Sequence, residues 1–215
     1  MDALIGRLMR GLAKSEHADN TIVVFWSDHG WHLGEKSRYR KFSLWEESCR
    51  VPLIIKLPPK LQKKYPQGLT SNRVVSLVDI FPTLNELCGL SQPKQNFDGK
   101  SLIPLLVNPE KEWDSHAISM YGKDNYSLRT ENYRYIRYEN GAEELYNHDN
   151  DPYEWNNLAG KPAYSKIKKQ LADKLPKESK PYVKTEPFDW QKYQREVLRK
   201  VKKQNLYDRV KPEWD

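Results

Sequence analysis

Cysteine is scarce. The chain has two, Cys49 and Cys88, which can pair at most once, so a disulfide-stapled scaffold is excluded and both read as buried thiols. Long apolar runs are missing too. No stretch approaches the ~20 apolar residues of a membrane-spanning helix, and the N-terminus lacks the basic-then-apolar layout of a secretory leader. Hydrophobic residues make up only 38% of the 215, while charged residues reach 30%, a balance that fits a soluble globular chain with one good core and a small appendage. A membrane partner is not expected.

What is present concentrates between Thr21 and Leu57. Thr21 to Trp26 is an uncharged run of β-branched and aromatic residues, which predicts a strand buried on both faces of a parallel sheet. It stops at Ser27-Asp28-His29-Gly30. Loops at the carboxyl ends of strands are where α/β sheets bind ligands, so Asp28 and His29 stand as candidate metal ligands. The plainer reading is a turn, with Asp28 capping a helix and Gly30 supplying a positive φ.

The longer stretch decides between them. Ser27-Asp28-His29-Gly30-Trp31-His32-Leu33-Gly34-Glu35, then Arg40-Lys41-Phe42-Ser43, then Arg50-Val51-Pro52-Leu53-Ile54, resembles the second signature of the type I sulfatases. The match is closest to the iduronate-sulfatase-like and choline-sulfatase-like branch of the alkaline phosphatase superfamily. The resemblance implies that Asp28 and His29 are metal ligands for calcium, and that Lys41 is the catalytic lysine contacting sulfate. Trp31 and His32 would line the pocket mouth as substrate-binding residues. A hard dication and an ammonium both withdraw charge from sulfate oxygens. Because His29 offers nitrogen, magnesium or manganese stay open.

The resemblance also names what these residues lack. The family's nucleophile is a formylglycine made in a C/S-x-P-x-R motif, and no cysteine or serine here fits that spacing. The chain therefore reads as a C-terminal portion of such an enzyme, inactive alone, whose partner would be the missing N-terminal half. The expected substrate is a sulfated carbohydrate or a small sulfate ester, and the compartment periplasmic, secreted or lysosomal. Two other functions stay open: a phosphate or phosphonate ester hydrolase of the same superfamily, and a non-catalytic binder of sulfated glycans.

The rest falls into place around that stretch. Apolar Leu4, Ile5, Leu8, Leu12 and Ala13 predict a helix over residues 2–15, and Phe42 to Ser48 a short one. A second buried strand is expected over 50–57, a basic loop over 60–68, and a strand-to-helix segment over 73–84 with Pro82 early in the helix. Asp98-Gly99-Lys100-Ser101-Leu102 matches the family's connector; a phosphate-loop reading fails for want of the upstream glycine. From Trp113 to Asn147, short alternating segments split by Gly122, Asn132 and Asn140-Gly141 predict an antiparallel meander, with His116, Arg129 and Arg134 as possible rim residues or part of a solvated face. Tyr164 to Leu175 and Trp190 to Asn205 predict helices.

The expected architecture is α/β: residues 1–112 as the C-terminal part of an alkaline-phosphatase-like sheet sandwiched by helices, 113–175 as a small antiparallel α+β subdomain, and 176–215 as a basic helical extension. Residues 161–215 carry 16 Lys plus Arg against 8 Asp plus Glu, whereas 1–160 carry 20 against 21, so the whole positive excess lies in the tail. Nucleic acid is an unlikely partner for it, since no recognised binding fold accompanies the charge. A solvated helix or attraction to polyanionic glycans accounts for the same residues.

Overall fold

The computed structural model describes residues 1–177, 179, 180 and 189–203, in two compact units, Met1–Ser179 and Lys180–Asp215. The mixed α/β class holds. Helix α1 (Asp2–Ala13) carries the expected apolar stripe, yet none of its residues is buried. A 3₁₀ turn at Ala18–Asn20 then leads into β1 (Val23–Trp26).

Strand β1 corrects one expectation. It is not a doubly buried parallel strand: it pairs antiparallel with β4 (Leu53–Lys56), from Val23 opposite Lys56 to Trp26 opposite Leu53, and Trp26 and Ile54 stay exposed. β-branched residues favour extended backbone but carry no information on the direction of the partner. Between the two strands lie the hairpin β2 (His32–Leu33) and β3 (Tyr39–Arg40), then the single turn α2 (Glu46–Cys49). That turn is shorter than the helix expected over 42–48. Ser43 is occupied elsewhere, its hydroxyl donating to Ser48 Oγ at 2.9 Å and accepting from the His32 ring at 2.7 Å, which holds the preceding residues out of the helix.

Pro59 opens α3 (Pro59–Gln62), one turn where a loop was expected. Residues 73–76 form no strand, and Ser76 alone of them is recorded in extended backbone, with φ of −124° and ψ of 154°. A reciprocal cap then forms: the Ser76 N–H donates to Asp79 Oδ2 at 2.7 Å, in front of α4 (Ile80–Leu87). The connector straps onto this cap. Lys100 N–H donates to Asp79 Oδ1 and Leu102 N–H to Thr83 Oγ1, both at 2.8 Å, and a Cβ on Gly99 would lie 2.2 Å from the Val78 carbonyl oxygen. The Gly-Lys-Ser sequence thus serves close packing, and α5 (Ile103–Val107) follows it. Of the two thiols expected to be buried, Cys49 is partly so and Cys88, at the end of α4, is exposed.

The meander forms as predicted. β5 (Ala117–Met120), β6 (Tyr126–Arg129), β7 (Tyr133–Arg137) and β8 (Glu143–Asn147) pair in sequence order, all antiparallel. Its two faces differ in what they cover. Leu128, Tyr135 and Leu145 stand opposite one another on one face and pack with Leu171 and Leu175, in and just beyond α6 (Ser165–Ala172). Each buried leucine there contributes about 1.5–3 kcal/mol. The opposite face carries Ser127, Arg129, Arg134, Ile136, Glu144 and Tyr146 by the period of two. Ile136 and Tyr146 cluster there with Leu44 and Trp45, so this face grips the segment between β3 and α2.

In the second unit, Asp189 accepts from the Lys192 N–H at 2.9 Å to cap α7 (Trp190–Lys203), and Trp190, Tyr193, Val197 and Leu198 recur at helical spacing. Residues 204 and 205 of the expected helix lie outside the described residues. No described helix is long and apolar enough to cross a membrane.

Candidate functional site

The loop after β1 assembles three of the expected residues at one point. Ser27 Oγ donates to the His29 carbonyl at 2.7 Å, and Gly30 N–H donates to the Ser48 carbonyl at 2.9 Å. Gly30 is required by close approach and not by a positive φ: a Cβ would stand 1.9 Å from the Glu47 carbonyl oxygen. The loop is therefore clamped to α2. The Gly30 carbonyl can only accept, so the His29 nitrogen 2.7 Å from it, Nδ1, carries the proton. Nε2 is left with its lone pair, and there Lys41 Nζ donates at 2.8 Å while Asp28 Oδ2 lies 3.5 Å away. Asp28 is 81% exposed and His29 29%, so the pair opens to solvent from a fixed base. Trp31 is half-exposed, its ring 6.1 Å from that of His29.

His32 does not stand at the mouth. It is 1% exposed, with Nε2 donating to Ser43 Oγ and its ring edge-on to Trp45 at 6.0 Å. Strand alternation is the reason: Trp31 and Leu33 point outward, so the residue between them points inward.

Lys41 follows a strained hairpin. Lys36, Ser37 and Arg40 have φ of 53°, 56° and 76°, left-handed values that cost L-residues about 1–2 kcal/mol each. Local bonds offset part of this. Glu35 accepts from Leu33 N–H at 2.6 Å, and Ser37 N–H reaches the Gly34 carbonyl at 3.0 Å.

Arg129 and Arg134 correct a second expectation, since they belong neither to a rim nor to a solvated face. Arg134 is 2% exposed and bridges two carboxylates, donating through Nε to Glu154 Oε1 at 2.5 Å and through Nη2 to Glu46. Its Nη1 reaches Ser127 Oγ at 2.6 Å. Arg129 lies 3.4 Å from Glu46 and donates to His148 Nδ1 at 3.0 Å, while His148 Nε2 donates to Glu154 at 2.8 Å. Glu46, His148 and Glu154 have donor atoms within 4.8 Å of one another, close enough for a metal ion. Two guanidiniums already fill that space, so the cluster is an ion-pair knot tying α2 to the meander. His116 lies elsewhere, half-buried, where burial and then Lys174 and Lys100 hold its imidazole below the usual pKa.

Burial alone would raise the pKa of Glu46 and of Glu154, but Arg134, Arg129 and His148 overcome it, and both carboxyls sit below their usual range. Depressed carboxyls stabilise the fold above their unfolded pKa of about 4.3, and lose that contribution as pH falls through the folded values. The lowered imidazole of His116 should cost some stability between pH ~6.5 and 5, and the knot carboxyls should add a further drop in the urea midpoint below pH ~4.3. Glu154→Gln should flatten that drop, and a midpoint unchanged down to pH ~3 in the wild type contradicts the knot.

Sequence reasoning missed Glu46, His148 and Glu154. The available signal was the register, since Arg129 and Arg134 share the meander face that also bears Glu144 and Tyr146.

Comparison with known proteins identifies the family of the chain. The family described as N-sulphoglucosamine sulphohydrolase, C-terminal, matches residues 34–181. A sulfatase of Formosa agariphila is 37% identical over 193 residues, covering 90% of this chain and 37% of its own length. The N-acetylglucosamine-6-O-sulfatase of Bacteroides thetaiotaomicron is 35% identical over 200 residues, covering 87% of this chain and 35% of its own. A solved structure in complex with its substrate D-glucosamine-2-N,6-O-disulfate superposes with a TM-score of 0.70 at 35% identity, over 80% of this chain and 36% of that one. The phosphonate monoester hydrolase of Agrobacterium radiobacter gives 0.66 at 27%, over 80% and 38%. The chain spans little more than a third of the length of the curated relatives it matches. By a family match that covers most of its length, the chain belongs to the N-sulphoglucosamine sulphohydrolase C-terminal family of the sulfatases, in the alkaline-phosphatase-like superfamily.

Proposed function

We propose that this chain supplies the metal- and sulfate-holding portion of a sulfuric ester hydrolase acting on a sulfate monoester of a carbohydrate. The observation that carries the reading is the convergence of Asp28, His29 and Lys41 at one imidazole nitrogen, in a solvent-open loop of a sulfatase-family chain. The named substrates of the Bacteroides relative and of the disulfate complex support a sulfated amino sugar.

The donor set fits a divalent cation. Asp28 offers an exposed carboxylate and His29 an Nε2 lone pair, 3.5 Å apart, which a cation would take as Lys41 Nζ turns from His29 to the sulfate. Oxygen suits calcium, and the nitrogen extends the choice to magnesium or manganese. When bound, the ion supplies Lewis-acid polarisation of sulfate oxygens. Lys41 brings an ammonium to the same place, a point charge with three donors whose present acceptor is the His29 lone pair. Such a charge stabilises an anion gaining negative charge at its oxygens. Trp31 offers a flat apolar face beside it for a sugar ring. The 215 residues contain no C/S-x-P-x-R motif, so the nucleophile is assigned to residues outside this sequence.

The second reading, phosphonate or phosphate ester hydrolysis, has the Agrobacterium neighbour behind it. The test is turnover by an enzyme assembled from this chain and the preceding residues of the Bacteroides relative. Faster release of sulfate from glucosamine 6-sulfate than of phosphate from the matching phosphate ester is expected. The reverse order overturns the sulfatase reading.

A further inference from the structure

Lys36 lies in the hairpin between the buried His32 and the site residue Lys41, and its side chain turns away from the site into the meander. Nζ stands 4.3 Å from the ring centroid of Trp45 and 4.3 Å from that of Tyr146, and donates to the Tyr146 hydroxyl at 3.1 Å. One carboxylate organises this cage. Glu144 accepts from Trp45 Nε1 at 2.7 Å, from the Tyr146 hydroxyl at 2.7 Å and from the Tyr138 hydroxyl at 3.0 Å, so both ring faces are locked and a negative charge sits behind them. The cage draws on Trp45, beside α2, and on three residues in or next to β7 and β8.

The backbone explains why such an anchor is needed. Lys36, Ser37 and Arg40 all take left-handed φ, so the hairpin that delivers Lys41 does not hold its shape through local preference. A half-buried ammonium between two aromatic faces supplies a fixed point at its tip. Burial pulls the Lys36 pKa below the usual lysine value, with Glu154 and Glu144 opposing.

We infer that Lys36 is a positioning residue: its capture between Trp45 and Tyr146 holds the strained hairpin in the conformation that sets Lys41 against His29. This rests on the reading of Lys41 as the sulfate contact. The role is through Lys41, so the two residues must be coupled.

The test is a double-mutant cycle on the 215-residue chain, reading inorganic sulfate affinity by NMR titration, with circular dichroism confirming the fold of each variant. Lys36→Met keeps the length and apolar stem but removes the charge, and should weaken sulfate binding about tenfold, as expected for loss of an ordered charge-assisted contact. Lys36→Arg retains a cation between the rings and should recover most of the affinity. In a Lys41→Ala background, Lys36→Met should have no further effect. An equal loss from Lys36→Met in both backgrounds, or affinity kept by Lys36→Met alone, overturns the positioning role. Unchanged affinity in Lys41→Ala instead overturns the sulfate contact on which the inference rests.

Discussion

Arg134→Ala is expected to lower the unfolding free energy by about 3–5 kcal/mol, the range for removing one partner of a buried ion pair. The guanidinium is 2% exposed and serves Glu154, Glu46 and Ser127 together. Alanine would leave the fully buried Glu154 with His148 as its remaining side-chain partner, and Glu46 with Arg129. Coulomb attraction lost is the smaller part of that cost; most comes from keeping two buried carboxylates charged with one partner fewer. A surface pair behaves differently. Lys168 and Glu143 approach to 2.6 Å but are a quarter to a third exposed, and Lys168→Ala should cost under ~1 kcal/mol. Replacing Arg134 by Met together with Glu46→Gln and Glu154→Gln should recover part of the loss, since neither buried carboxylate would then be charged and Arg129, 20% exposed, would be the one cation of the knot left to solvent. Urea denaturation checks all three. A loss under ~1 kcal/mol for Arg134→Ala would mean the knot is solvated and that packing alone joins α2 to the meander.

Lys41→Ala should reduce turnover of a sulfate ester by about 100-fold or more in the assembled enzyme, the usual cost of deleting one preorganised electrostatic contact to developing charge. The drop should fall mainly on kcat, because an ammonium aimed at sulfate oxygens gains most as charge builds on them. Lys41→Arg keeps the charge but spreads it over a planar fork, so partial recovery is expected. Turnover within about threefold of wild type would remove Lys41 from the sulfate site and leave it as a partner of His29 only.

Legibility in the sequence followed the range of the interactions. The meander was readable because strict alternation and turns such as Asn140-Gly141 are local, and Gly141 takes a φ of 83°. The meeting of Asp28, His29 and Lys41 was readable because the three fall in an ordered motif within 14 residues of chain. Other features were set by distant partners. The direction of β1 depends on where β4 returns, and the burial of His32 depends on Ser43 and Trp45 closing over it. Arg134 finds Glu46 across 88 positions, and Lys36 finds Tyr146 across 110. No window of local pattern spans those separations. The strained φ values at Lys36 and Ser37 were hidden for a related reason, because nothing in residues 34–38 favours a left-handed turn except Gly34.

We propose that Asp28 and His29 hold the cation and Lys41 the sulfate. The most direct test is sulfate release by the assembled enzyme after chelation and return of calcium, comparing wild type with Asp28→Ala. Calcium is expected to restore turnover to the wild type and to leave Asp28→Ala inactive. Full turnover in the chelated wild type, or equal recovery by Asp28→Ala, would contradict it.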